Sequence, residues 1–201
     1  MDILVTLGRT LGFSMAAGVN LYATVGILGL ASRYGWVSLP EQFQVFDHDV
    51  VIYSALALFA IEFVADKIPW VDTLWDGVHT AIRPLGGALI AVSTLGDANP
   101  ALQGLVALLG GGLAASSHLT KAGTRVTVNA SPEPFSNWAL SLAEDAFVFA
   151  LAGLALKFPL IALAVVVVAF VVCVAVLTYV TRTLRRLFAR RRQTLLGEQP
   201  A

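Results

Sequence analysis

Apolar residues run along this chain in long stretches, broken by short polar segments. A bilayer core about 30 Å thick takes about 20 helical residues to cross, and that length divides the sequence. Leu4 to Ala31 supplies a first span and Val51 to Ala65 a second. Leu102 to Ala122, Trp138 to Leu156 and Ile161 to Val180 supply three more. The stretch 33–50, with Pro40, Asp47, His48 and Asp49, reads as a polar, aromatic loop.

The segment Asp72 to Leu95 departs from this pattern. Asp72, Asp76, His79 and Arg83 recur at intervals of four, three and four residues, so they share one helical face. Trp75, Val78 and Ile82 fall on the other. This spacing predicts an amphipathic helix lying at the membrane interface, with Trp70 and Trp75 at headgroup depth. Pro84, Gly86 and Gly87 interrupt it, and the apolar remainder, Leu85 to Leu95, continues as a tilted or broken span. A re-entrant hairpin is the alternative, and it requires protein around its backbone.

Counting that segment as a crossing gives an all-α, polytopic transmembrane helical bundle of about six spans. The loops with Lys67 and Arg83, with Lys121 and Arg125, and the tail then share the cytoplasmic side. The acidic loop Glu41 to Asp49 faces outward, as the positive-inside rule asks. Residues 1–201 read as one transmembrane domain, with 182–201 a basic cytoplasmic tail. The expected location is the bacterial inner (plasma) membrane, multi-pass, with the C-terminus cytoplasmic.

Composition agrees. The 201 residues are 57% hydrophobic and 13% charged, against roughly 25% charged in soluble domains. Mean hydropathy is +0.78. The net charge of zero hides a crowd of arginines in the tail, at 182, 185, 186, 190, 191 and 192. They follow a long apolar run, so anionic lipid headgroups are their expected partner, and nucleic acid is not. The single cysteine, Cys173, excludes a disulfide framework and reads as a packing or lipid-facing thiol. Arg9 inside the first apolar stretch, with no small-residue cleavage site after it, argues that the first helix is retained. A homo-oligomer is compatible with all of this.

An internal repeat emerges between the halves 1–98 and 99–181. Leu11 to Leu21 lies over Leu109 to Leu119 without a gap, with Leu, Gly, Ala, Ala and Leu recurring and Asn20 opposite His118. Ala57, Leu58 and Glu62 match Ala139, Leu140 and Glu144. Three spans per half would invert one half relative to the other, the plan of many secondary transporters, whose sites lie between the repeats.

Charged groups inside a span cost about 2.5–3.5 kcal/mol each on insertion scales, so they face a cavity or a partner. Glu62 falls near the middle of its span, with Asp66 one turn on. Glu144 and Asp145 lie in the first half of theirs, with Asn137 and Ser141 behind Asp145. Carboxylates with amide and hydroxyl oxygens suit a hard cation or an exchangeable proton. Interhelical salt bridges that merely lock the bundle are the plain alternative. Asn20, Glu62, Asp66, His118, Ser141, Glu144 and Asp145 are therefore the ion- or substrate-binding candidates. Arg83, Lys121 and Arg125 are candidates for a phosphate or carboxylate headgroup, with snorkelling to the interface as the alternative for the last two. Asp72, Asp76 and His79 are weak metal candidates. Ser136 reads as a helix N-cap after the turn-rich loop that starts at Asn129. The many glycines read mainly as helix-packing positions. No Walker, nucleophile-elbow or zinc-protease motif occurs, so no catalytic residue and no organic cofactor is expected.

Gly18-Val-Asn-Leu-Tyr22, Glu62-Phe-Val-Ala-Asp-Lys-Ile-Pro-Trp-Val-Asp72, Arg83-Pro-Leu-Gly-Gly87, His118-Leu-Thr-Lys-Ala-Gly-Thr-Arg125 and Asn129-Ala-Ser-Pro together resemble a bacterial integral-membrane family catalogued only as a domain of unknown function. The resemblance covers nearly the whole chain and implies no particular activity. Glu62 to Lys67 also resembles a signature of small cation/proton exchangers, but its spacing differs by one residue and its glycine is absent, so no roles transfer. The leading expectation is a small ion- or proton-coupled transporter of a cation or small solute. A lipid-phosphate enzyme or flippase and a structural membrane subunit are the alternatives.

Overall fold

The computed structural model describes residues 3–129 and 135–196, and the side chains of these except Gln42 and residues 184–196. The described residues form seven α-helices: α1 (Ile3–Val19), α2 (Leu21–Arg33), α3 (Asp49–Ala65), α4 (Pro69–Leu95), α5 (Pro100–Asn129), α6 (Phe135–Lys157) and α7 (Pro159–Leu196). A 3-10 segment, Glu41–Asp47, precedes α3. Helices α4, α5, α6 and residues 159–183 of α7 are each long and apolar enough to cross a bilayer. Helices α1 and α2 are shorter and apolar, and α3 adds 17 residues. With α1 and α2 as one interrupted crossing, about six spans result.

The first expected span is thus two helices. At Asn20 the backbone leaves helical geometry (φ −145°, ψ 100°), and its side-chain oxygen accepts from the Ala23 amide at 2.9 Å. This is an N-cap, satisfying one amide that the new helix leaves without an internal partner. The break also leaves the last carbonyls of α1 without their usual helical amide donors.

Helix α4 corrects two expectations. It runs unbroken from Pro69 to Leu95 with Pro84 inside it, so Pro84, Gly86 and Gly87 do not end it. Its polar face also points inward. Asp72, Asp76, His79 and Arg83 are buried, while Leu74, Val78 and Ile82 are exposed on the outside. A helix on the membrane surface turns its polar face to water. This one turns it to other helices, because the partners for those charges lie there.

Helix α1 is central, packing on α4, α5, α6 and α7, and α4 lies along α5 over much of its length. Small residues allow the close approach. A methyl added at Gly18 would sit 2.0 Å from Ser117 Oγ, and one at Gly110 would sit 2.4 Å from Ala91 Cβ. The apolar core gathers around Phe13, Met15, Leu28, Ile90, Val148 and Leu151. Helix α7 continues past Arg182 to Leu196, so the basic tail extends the last span as helix. Helix α6 begins at Phe135, placing Ser136 within its first turn and not before it as a cap. Residues 130–134, where the sequence suggests a turn-rich segment, lie outside the described residues.

Candidate functional site

One polar column fills the bundle from the α3–α4 turn inward. Its residues come from four helices and are held by the periodicities noted above. Asp72, Asp76, His79 and Arg83 line α4, while His118, Lys121 and Arg125 line α5. Glu62 and Asp66 come from the end of α3, and Asn137, Ser141, Glu144 and Asp145 from the first half of α6.

Arg125 anchors the outer end. Its Nη1 donates to the Asp66 carbonyl at 2.7 Å and to Asn137 Oδ1 at 2.8 Å. Its Nη2 reaches Asp66 Oδ2 at 3.1 Å, and Nε with Nη2 fork onto the Glu144 carboxylate. Such a planar donor fan is what arginine supplies and lysine cannot. Asp72 lies 3.8 Å from the same guanidinium and accepts from Asn129 Nδ2 at 2.7 Å.

Lys121 sits one layer deeper. Its ammonium lies 2.9 Å from Asp66, 3.4 Å from Glu62 and 3.8 Å from Glu144. Glu62 and Glu144, which fall opposite each other when the two halves of the sequence are overlaid, therefore converge on one lysine. Deeper still, Arg83 Nη2 binds Glu62 Oε1 at 2.5 Å, while Nη1 donates to His118 Nδ1 at 2.9 Å. Arginine can only donate, so His118 must present a lone pair at Nδ1 and carry its proton on Nε2, which faces Thr80 Oγ1 at 3.2 Å. His118 is a hydrogen-bond acceptor for Arg83 in this arrangement.

The break in the first span faces this column from the other side. Gly18 O receives Arg83 Nη1 and Val19 O receives Lys121 Nζ, both at 3.4 Å. Two cations thus meet the negative end of α1. Asn20 Nδ2 donates to Asp145 Oδ1 at 3.2 Å, setting a carboxylate beside the positive end of α2. Sequence reasoning found Asn20 but not the two carbonyls, because a backbone break leaves no residue-type signature beyond a capping residue among small neighbours.

Several candidates land elsewhere than expected. Glu62 is three residues from the end of α3, about 4.5 Å of rise, so it lies toward one end and not at the middle of its helix. Lys121 and Arg125 do not snorkel, being 4% and 1% exposed. Asp72, Asp76 and His79 do not close on a common point. His79 donates Nδ1–H to Trp75 O at 2.7 Å and meets the Tyr22 hydroxyl through Nε2 at 2.8 Å. Among the described residues, no three His, Cys, Asp or Glu are placed to hold a metal ion. Ser141 lies 3.4 Å from Lys67 Nζ, which also caps the Phe63 carbonyl and lies over the Phe63 ring. Lys67 is in the turn outside the spans, where partial burial holds its ammonium below the usual lysine range while Asp145 and Asp66 pull the other way.

The charges do not balance. Six acids, Glu62, Asp66, Asp72, Asp76, Glu144 and Asp145, face the buried Arg83, Lys121 and Arg125 and, at the rim, the partly buried Lys67. The shortfall falls hardest on Asp76. Its Oδ1 is 3.3 Å from Arg83 without hydrogen-bond geometry, and neither oxygen has a hydrogen-bond partner although the residue is 4% exposed. Arg83 is already taken by Glu62. Asp76 lines a cavity of about 170 Å³ between α4 and α5, with Thr73, Thr80 and Arg125. A second cavity, of about 260 Å³, lies on the opposite side of the column and is reached by Lys121 and Glu144.

Fold and site define a polytopic helical membrane protein with a buried, acid-rich ion network. The chain belongs to the family described as Domain of unknown function (DUF4126), whose model matches residues 7–179. No curated protein and no solved structure matches it.

Proposed function

We propose that this protein is a proton-coupled membrane transporter of a cation, with the network between α3, α4, α5 and α6 as its coupling site. The observation that carries this reading is Asp76, a buried carboxyl beside a cavity and denied a hydrogen bond by the very arginine that faces it. A group of this kind takes up a proton from water in the cavity and becomes neutral, or gives it back and competes with Glu62 for Arg83. Buried ion pairs that serve packing alone gain nothing from surplus acid, since each unpaired ion in a low-dielectric interior costs several kcal/mol.

Two further features support it. The column has more acid than base, so it accommodates added positive charge. The first span is interrupted beside the network, as in transporters whose discontinuous helices meet the site. An inverted repeat of the halves 1–98 and 99–181 would accompany this reading. In this reading the bacterial inner membrane is the host, and the α3–α4 turn and the C-terminus are cytoplasmic.

The lipid-phosphate alternative is less well supported. Arg83, Lys121 and Arg125 do meet, but carboxylates already occupy their donors, so a phosphate would have to displace acids from all three.

Reconstituted vesicles with an internal pH indicator test the proposal. An imposed cation gradient should drive proton movement in the native chain. Asp76→Asn should abolish that movement while leaving the chain folded, because Arg83 keeps Glu62 as its closer ion-pair partner. Proton movement that survives Asp76→Asn unchanged would remove Asp76 from the mechanism, and no cation-driven proton movement of any kind would end the transport reading.

A further inference from the structure

The cavity beside Lys121 and Glu144 has a composition of its own. Met15 and Val19 of α1, Leu140 and Phe147 of α6, and Ala169 and Cys173 of α7 give it apolar walls. Ser117, Thr120 and Thr124 of α5 add hydroxyls, and Lys121 and Glu144 close it against the ion network. Of that pair Glu144 is the accessible member, with 12% of its side chain exposed against 2% for Lys121. Phe147 follows Glu144 by three residues, so its ring lies on the same face of α6. Lys121 is the less exposed of the pair, so a carboxylate with an aromatic ring on the same helical face, among mostly apolar walls, is what an entering cation with an apolar body would meet.

We propose that this cavity binds an organic cation with an apolar body, and that such a cation is the solute exchanged for protons. The inference rests on the transport reading and names the substrate class for it. Charge decides the sign. An incoming cation reduces the excess of acid in the column, whereas an anion would add to it. Glu144 can turn toward the solute because Arg125 has other carboxylates within reach, Asp66 Oδ2 at 3.1 Å and Asp72 Oδ1 at 3.8 Å. Volume bounds the ligand. A cavity of about 260 Å³ matches a single substituted ring in size and is too small to hold a whole two-chain lipid. A bare inorganic cation would leave the apolar walls unused.

The test is binding to the purified full chain in detergent, with benzyltrimethylammonium, benzoate and neutral tert-butylbenzene compared by calorimetry. The ammonium should bind saturably, and the other two should not. Cys173, the one cysteine of the chain, lines the cavity and serves as a native reporter, so the ammonium should slow its labelling by N-ethylmaleimide several-fold. Glu144→Gln should weaken ammonium binding about tenfold or more, equivalent to ~1.4 kcal/mol. Should that variant fail to fold for want of a partner for Arg125, Ala169→Phe fills the chamber from α7 without touching the network and should abolish binding. Benzoate binding in preference to the ammonium, or ammonium binding unaffected by Ala169→Phe, would overturn the assignment. Proton-linked flux of inorganic cations without ammonium binding sinks the substrate class and leaves transport standing. Ammonium binding without proton-linked flux of any cation does the reverse.

Discussion

At the scale of single residues, Asn20 does two jobs with one side chain. Its oxygen caps α2 and its nitrogen holds Asp145. Asn20→Ala removes a cap, which costs about 1 kcal/mol, and strips a buried carboxylate of its donor, which costs about 1–3 kcal/mol more. The expected outcome is a clear fall in the thermal unfolding midpoint in detergent, and a double-mutant cycle with Asp145→Asn should show coupling well above the noise. An additive cycle would mean that the two residues do not bond. Much of this was legible in the sequence, since an amide and a set of acids deep in apolar runs already marked the site. The pairings were not. Spacing shows which residues share a face of one helix, but which carboxylate each arginine takes depends on how four helices are rotated against one another.

At the scale of elements, α4 is the instructive case. Its two faces were readable from a period of three and four residues, yet which face meets lipid was not. The same amphipathic pattern describes a helix floating at an interface and one turned inside-out within a bundle. Only the complementary charges of α3, α5 and α6 decide between them, and those are distant in sequence. Pro84 misled similarly, because a proline that forgoes one helical hydrogen bond need not end a helix that its neighbours hold in place. Glycines on α5 give a contrast within one turn. A methyl at Gly110 meets Ala91 Cβ at 2.4 Å, whereas one at Gly112 meets nothing within 4 Å. Gly110→Ala should therefore destabilise by about 1–3 kcal/mol through overpacking, and Gly112→Ala should be neutral or slightly stabilising. Equal effects on the detergent unfolding curve would contradict the α4–α5 crossing described above.

At the scale of the whole molecule, a helical bundle of about six crossings was readable from length and hydropathy, and the position of the network within the bundle was not. Six crossings place the α3–α4 turn and the α4–α5 turn on opposite sides of the membrane. In a Cys173→Ser background, Lys67→Cys and Asp97→Cys should react with a membrane-impermeant maleimide from opposite faces, with position 67 protected in intact cells. Labelling of both from outside would restore the re-entrant arrangement of α4.

The interruption at Asn20 has a mechanical consequence. Helix α2 packs mainly on α3 and the 3-10 segment, whereas α1 packs on α4, α5, α6 and α7, so the non-helical Asn20 at one end and the α3–α4 turn at the other join a small hairpin to a larger block. Glu62 and Asp66 ride on the hairpin, and their partners Arg83, Lys121 and Arg125 ride on the block. These ion pairs act as a clasp between two bodies, and any swing of the hairpin about Asn20 has to unfasten them.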